Sequence, residues 1–330
     1  MATRVVADAA GIARAAAVLQ GGALVAFPTE TVYGLGADAR NDEAVRSIFA
    51  FKGRPADHPV IVHVESAAGL DHWGRDVPHS ARRLAQAFWP GPLTLIVARR
   101  HDVSDSLTGA QDSVGLRCPS HRTARALLHA FAAGRADAGV AAPSANLFGR
   151  ISPTQAAHVL EDFAGTDLLV LDDGPSLFGV ESTIVDCSRP ERGAVLLRHG
   201  AISREQVAAV IGAPVAVADA AAPRVSGSLE SHYAPRKPLR LVSVGQIESL
   251  SAQAGRSALM AFGEPRFAAS LAWFEAAPAD PVRYAHRLYD RLRAMDASTA
   301  QSLYIEQVPA TSDWAAVADR LQRASVHRVD

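Results

Sequence analysis

Phe27-Pro28-Thr29-Glu30-Thr31-Val32-Tyr33-Gly34-Leu35-Gly36 follows directly on the apolar run Ala23–Phe27. An apolar run that passes into proline, hydroxyls, an aromatic ring and glycines reads as a buried strand handing a polar loop to the end of a sheet. A pocket for a phosphorylated ligand needs such a loop, and a core alone does not. Further on, Phe51-Lys52-Gly53-Arg54-Pro55 sets two cations around a glycine, and Pro59-Val60-Ile61-Val62-His63-Val64 supplies another apolar strand. On either side, strand-like and helix-like segments alternate, which predicts an α/β fold. Thr3–Val6 and Ala23–Phe27 flank a helix expected from near Asp8 to Gly21-Gly22, with glycine as its stop. Asp42 is expected to cap a second helix running through Phe51. Val60–Val64, Leu93–Ala98, Val114–Arg117, Val140–Ala142, Leu168–Leu171, Ser182–Asp186 and Ala194–Leu197 read as short buried strands. Helices are expected near Ser80–Phe88 and Thr123–Ala132. Another should begin at Ser152-Pro153, with proline at the first helical position. Ser203 and Gln206 form a capping box for a helix to Ile211.

After Gly212 the periodicity stops. Residues 213–238 are rich in alanine, proline, glycine and serine and read as a linker between a domain over 1–212 and a smaller one over 239–330. In the smaller domain, Leu239–Val244, Ala258–Phe262 and Ser302–Glu306 are expected strands. Pro281–Met295 and Ser312–Ala324 are expected helices.

The 330-residue chain is long enough for two cores, and its formal net charge is -1. A domain devoted to gripping duplex nucleic acid is usually clearly basic, because phosphate neutralisation supplies most of that affinity. Charge balance therefore argues against that class, though not against a local patch such as Arg99-Arg100. Cys118 and Cys187 have no partner spacing and read as buried thiols rather than a disulfide or a zinc site. No apolar run approaches the ~18–20 residues of a membrane span, and Asp8, Arg14 and Gln20 interrupt the alanine-rich N-terminus. The expectation is a soluble cytoplasmic protein with no membrane role.

Gly34-Leu35-Gly36-Ala37-Asp38-Ala39 matches the dinucleotide pattern, but that mechanism needs the glycines to join the strand directly to a helix. Here Pro28–Tyr33 intervene and the helix waits until about Asp42, so a dinucleotide cofactor is set aside. P-loop, zincin and G-x-S-x-G patterns are absent. Lys52 and Arg54 carry the stronger signal. Two cations around Gly53, stiffened by Pro55, suit a triphosphate, although a turn whose cations face water fits the pattern too. Pro143-Ser144-Ala145-Asn146 puts small polar groups after an apolar strand, where they can bind phosphate or a base edge, or simply close a turn. Ser182-Thr183 and Arg198 repeat the arrangement at other strand ends. His63 alternates within an apolar strand, and its plain reading is a satisfied core histidine. Arg117 could meet a carboxylate or phosphate, or form an ion pair at a strand edge. Asp172-Asp173-Gly174 could bind Mg²⁺ but reads more simply as a turn.

These stretches in this order resemble the threonylcarbamoyl-AMP synthase family, whose core is the YrdC-like domain. The resemblance rests on PTETVYGLG, FKGRP with HPVIVHV, WPGPLTL, VGLRCP, APSANLFGRISPT, ESTIVD and LLRHGAI, spanning nearly all of residues 20–203. Gly227–Pro235 (GSLESHYAP) resembles the linker of the longer two-domain form, with Ser226 where many members have proline. The resemblance implies a twisted open mixed sheet of the YrdC-like type, with a second, smaller Rossmann-like α/β domain. It implies formation of threonylcarbamoyl-AMP and pyrophosphate from L-threonine, bicarbonate or CO₂, and ATP, with Mg²⁺ accompanying ATP. The product would pass to the tRNA threonylcarbamoyl-transfer machinery, for N6-threonylcarbamoyladenosine beside the anticodon. By the same resemblance Lys52 and Arg54 would hold the ATP phosphates, supported by Ser144, Asn146, Arg198 and Tyr233. Thr31, His63, Arg117 and Ser182 would surround threonine, with Tyr33 in the pocket wall and Tyr233 as a lid. The rival readings are a carbamoyl-adenylate-forming carbamoyltransferase and an RNA-binding module. Even in the synthase a weak RNA contact is conceivable on the cleft.

Overall fold

The computed structural model describes residues 1–227 and 232–326. It divides into two units, Met1–Phe148 with Pro153–Leu177 and Glu181–Ser228, and Gly149–Ser152 with Phe178–Val180 and Leu229–Asp330. The division falls inside 213–238, and two short pieces from earlier in the chain join the second unit. Within 213–238, Ala216–Val217 forms a strand rather than plain linker.

The first unit is built on eleven strands: β1 (Thr3–Val6), β2 (Val25–Phe27), β3 (Gly34–Asp38), β4 (Val62–His63), β5 (Leu93–Ala98), β6 (Ser113–Arg117), β7 (Val140–Ala141), β8 (Leu169–Asp172), β9 (Thr183–Asp186), β10 (Val195–Arg198) and β11 (Ala216–Val217). They lie in the order β1-β8-β2-β3-β7-β4-β6-β5-β9-β10-β11. Pairing is mixed: β1, β8 and β2 run parallel, β3 is antiparallel to both its neighbours, and β4 runs parallel to β6.

Side-chain alternation decides where a site can exist, because successive residues of a strand face opposite sides. On one side Val60, Val62, Val64, Leu93, Leu95, Val97, Val114, Leu116 and Val185 enter a single core with Ile48, Leu70, Trp73 and Leu84 from helices. On the other side, β2, β7 and β8 send Val25, Phe27, Val140, Leu169 and Leu171 against helices Ala9–Gln20 and Arg122–Ala132. Further along that side, Ile61, His63, Gly115, Arg117, Thr94, Ile96 and Ile184 alternate out of the first core. Ile96 and Ile184 meet Val225, with Ile61 and Leu197 packed beside them. No helix residue belongs to that small cluster. This stretch of sheet is where polar side chains gather.

Several local expectations need correction. The cap of helix Asp42–Lys52 is Asn41, whose Oδ1 accepts from the N–H groups of Glu43 and Ala44; Asp42 is the first helical residue. Ser152-Pro153 starts no helix. The helix there is Ala156–Asp162, preceded by Gln155 without a side-chain cap. Gly34–Asp38, read as loop, is a strand antiparallel to β2. Close packing explains the glycines there: a Cβ on Gly36 would lie 2.8 Å from both Phe27 Cε1 and Val140 Cγ1. The capping box of Ser203 and Gln206 is present in full.

The second unit carries four parallel strands, β12 (Leu239–Val242), β13 (Ser257–Ala261), β14 (Trp273–Ala276) and β15 (Ser302–Glu306), ordered β12-β15-β13-β14. Helix Pro281–Ala297 is capped by Asp280 and buries Tyr284, Leu288, Tyr289, Leu292 and Met295, one face of a 3.6-residue period. The edge strand β14 is half-buried, so its pattern is too weak to read from sequence. A 3₁₀ turn Ser312–Trp314 precedes the final helix, Ala315–Ser325. Among the described residues no helix is long and apolar enough to cross a membrane.

Candidate functional site

Helix Asp42–Lys52 ends at Gly53, whose φ of 62° is the left-handed conformation that lets the chain turn at once. The turn folds Lys52 inward. Its Nζ donates to Ser144 O at 2.5 Å and to Asn146 O, two carbonyls of the loop after β7. Arg54 donates from Nη2 to Pro59 O at 2.9 Å and to Ser226 Oγ at 3.3 Å, while its Nε is buried with no hydrogen-bond partner among the described residues. Both side chains are buried. Burial, reinforced by the charge of Arg54, holds the Lys52 ammonium well below its usual pKa. Burial lowers Arg54 to about 10, against a smaller opposing effect of Asp57. Among the described residues neither cation forms a salt bridge with a carboxylate. Two such desolvated cations are strongly favourable to an incoming polyanion.

A second group forms across the strand ends. His63 pairs in register with Arg117, and the register that sets Leu95 opposite Leu116 brings Thr94 level with Arg117. Thr94 pairs with Ile184, and Ile184 with Arg198. Arg198 reaches that level through a β-bulge, because Leu197 is an extra residue between the pairs Leu196–Val185 and Arg198–Ile184. Its Nε donates to Ser182 O at 3.0 Å, Nη2 to Ser182 Oγ at 3.1 Å and Nη1 to Ser226 O at 2.7 Å. Ser182 Oγ lies 2.7 Å from Thr94 Oγ1. Ser226, whose Oγ donates to Pro59 O, therefore joins Arg198 to Arg54.

The third group is the loop after β2. Thr29 Oγ1 donates to Val32 O at 2.6 Å, so the 2.9 Å contact between the hydroxyls of Thr29 and Thr31 has Thr31 as donor. Tyr33 is fully buried, and its hydroxyl lies 3.1 Å from Asp172 Oδ1 and donates to Gly174 O at 2.7 Å. Burial and the Asp172 carboxylate push its pKa up. Asp173 meets Arg122 and Thr123, so the Asp172-Asp173-Gly174 turn is occupied by structural partners. Among the described residues no group of three or more His, Cys, Asp or Glu is placed to hold a metal ion.

The family model described as telomere recombination, covering Sua5, YciO and YrdC proteins, matches residues 17–200. A second, described as the threonylcarbamoyl-AMP synthase C-terminal domain, matches residues 202–326. The threonylcarbamoyl-AMP synthase of Bacillus subtilis (strain 168) is 38% identical over 96% of this chain and 94% of its own. The chain belongs to the threonylcarbamoyl-AMP synthase family. The synthase of Pyrococcus abyssi (strain GE5 / Orsay) is 37% identical, again over 96% of this chain and 94% of its own. A crystal structure of P. abyssi Sua5 complexed with L-threonine superposes with a TM-score of 0.86 at 32% identity, covering 98% of this chain and 97% of that one.

Of the residues singled out in this synthase-family sequence, Lys52, Ser144 and Asn146 come together, as do Arg54, Arg198 and Ser182, and His63 with Arg117. Arg117 is ion-paired, but on an interior strand, with Nη2 2.7 Å from Glu30 Oε1. His63 departs from the satisfied core histidine: its Nδ1 is buried and, among the described residues, has no hydrogen-bond partner. Burial, then Arg117, lowers its pKa to about 3. Tyr233 belongs to the second unit, where its ring is buried 5.5 Å from that of Tyr289, beneath Arg320, at a φ of 61°. The Ser228–Ser231 part of the linker motif lies outside the described residues. Sequence reading passed over Glu30, Thr94 and the contacts of Ser226. A threonine within the apolar LTLIVA run was the available signal for Thr94; nothing in spacing links Glu30 to Arg117.

The neutral imidazole has a measurable consequence. Unfolded, His63 takes up a proton below about pH 6.5; folded, it resists protonation to about pH 3. The unfolded state thus binds more protons in this window, and stability falls as pH falls, approaching about 1.4 kcal/mol per pH unit. In urea denaturation between pH 6.5 and 5, His63→Asn should show a shallower loss than wild type. Equal slopes would mean that the ring protonates in place.

Proposed function

We propose that this chain is an L-threonylcarbamoyladenylate synthase, joining L-threonine, bicarbonate or CO₂, and ATP into threonylcarbamoyl-AMP with release of pyrophosphate. The product serves N6-threonylcarbamoyladenosine formation in tRNA, other proteins making the transfer. The observation that carries the reading is the buried pair Lys52 and Arg54, in no salt bridge among the described residues, with Arg198 linked to Arg54 through Ser226. Those cations suit the triphosphate, with Ser144 and Asn146 beside it. Threonine fits the other group, its carboxylate toward Arg117 and its polar atoms toward His63, Thr31 and Ser182. Tyr33 backs that pocket. That the P. abyssi relative is described in complex with L-threonine supports the choice of amino acid.

The chemistry needs no protein nucleophile. The threonine amine adds to CO₂ and loses a proton to give a carbamate. A carbamate oxygen then forms a bond to the α-phosphorus as the bond to pyrophosphate breaks. Catalysis is positioning plus neutralisation of charge on the phosphates. Mg²⁺ enters with ATP as part of the substrate. His63, neutral and with a free ring nitrogen, can accept a hydrogen bond without adding charge. Pyrophosphate release should depend on both threonine and bicarbonate, and fall sharply with serine or no amino acid. RNA binding without threonine-dependent release would overturn the proposal.

A further inference from the structure

The two halves of the site differ in how their cations are balanced. Among the described residues Lys52 and Arg54 form no salt bridge, Asp162 and Asp57 acting on them only weakly against burial, whereas Arg117 is paired directly with Glu30, with side chains 5% and 2% exposed. Glu30 comes from the loop that carries Thr31 and Tyr33; Arg117 ends β6. One ion pair therefore ties that loop to the end of β6. Burial alone would raise the Glu30 carboxyl, but the charge of the Arg117 guanidinium 2.7 Å away holds it lowered. The carboxylate stays charged and cancels most of the field of Arg117.

An uncompensated third cation beside His63 would draw the triphosphate into the amino-acid half, since polyanions follow uncancelled charge. A cancelled guanidinium still offers directed N–H donors, enough for a monoanionic carboxylate in fork geometry. We propose that Glu30 is a positioning and specificity-determining residue that sorts the two substrates: by pairing with Arg117 it orients the guanidinium for an amino-acid carboxylate and keeps polyphosphate out of that half of the site. This rests on the placement of threonine at Arg117.

Glu30→Gln keeps the shape and removes the charge. It should raise the threonine KM about tenfold or more, a cost of about 1.4 kcal/mol. It should leave the ATP KM at saturating threonine within about twofold, and make tripolyphosphate competitive against threonine. Glu30→Asp, which keeps the charge, should keep the wild-type inhibition pattern, and tripolyphosphate competition in it overturns the proposal; Glu30→Ser supplies the charge-free readout if Glu30→Gln does not fold. A merely structural role would lower the melting temperature without moving the threonine KM or creating that competition, and that result overturns the proposal. Arg117→Gln separates the layers. If it leaves the threonine KM unchanged, the placement of threonine fails and the Glu30 role falls with it. If it raises that KM while Glu30→Gln does not, the role of Glu30 alone falls.

Discussion

Lys52→Ala should reduce threonine-dependent pyrophosphate release by about 10²–10³-fold or more, with the fold retained. Removing one preorganised donor from a site of developing charge typically has an effect of that size, and here the donor is also a full charge. The ammonium is fixed by Ser144 O and Asn146 O, leaving its third N–H for the ligand. Losing Lys52 leaves those carbonyls short of a donor, at about 1–3 kcal/mol. Relief of a buried, repelled cation offsets part of this, so far-ultraviolet circular dichroism should be unchanged. Lys52→Arg should rescue little, because a planar fork does not fit between two carbonyls that converge on a point charge. Arg54→Ala should be comparably inactive. Near wild-type turnover in both alanine variants would remove the two cations from the nucleotide site.

Gly36→Val should severely destabilise the first unit's sheet. A Cβ at Gly36 already meets Phe27 Cε1 and Val140 Cγ1 at 2.8 Å and Val25 O at 3.3 Å, and valine adds two further carbons. Phe27 and Val140 are fully buried, so neither can retreat into solvent. Overpacking of this kind costs about 3 kcal/mol or more, a loss of roughly ten degrees in melting temperature for a domain of this size. Gly34→Ala is the control: its Cβ would meet Ala142 Cβ at 3.3 Å, a gap the sheet can widen. Equal melting temperatures for Gly36→Val and wild type would show that β3 is not held between β2 and β7 as described.

What could be read from sequence follows from what is local. Helix Arg204–Ile211 was legible because Ser203 and Gln206 satisfy backbone groups three residues apart. The buried strands were legible because two-residue alternation is written in the chain itself. Strand β3 was not, because its glycines are chosen by Phe27 and Val140, residues that only the folded sheet brings close. The same limit applies to the site. Lys52 and Arg54 announce themselves around one glycine, and Ser144 and Asn146 around one alanine, but the motif does not say that the lysine holds that loop by its carbonyls. Glu30 and Arg117 are invisible as a pair, since their contact is made by sheet order. The C-terminal strand β14 escaped notice because a half-buried edge has little pattern to show.

The extra residue at Leu197 has a consequence beyond its own neighbourhood. Were Leu197 paired regularly instead of bulged, it would stand opposite Ile184, and Arg198 would move on to Thr183. A shift of one position turns a side chain through the sheet, so the guanidinium would emerge among the helices rather than beside Ser182. The bulge works as a phase correction: one inserted residue resets the odd-even count of β10 just before its last member. The polarity at the end of the row is thus written in a parity, and pairing that absorbed Leu197 into the ladder would cost the site a cation without changing a single residue.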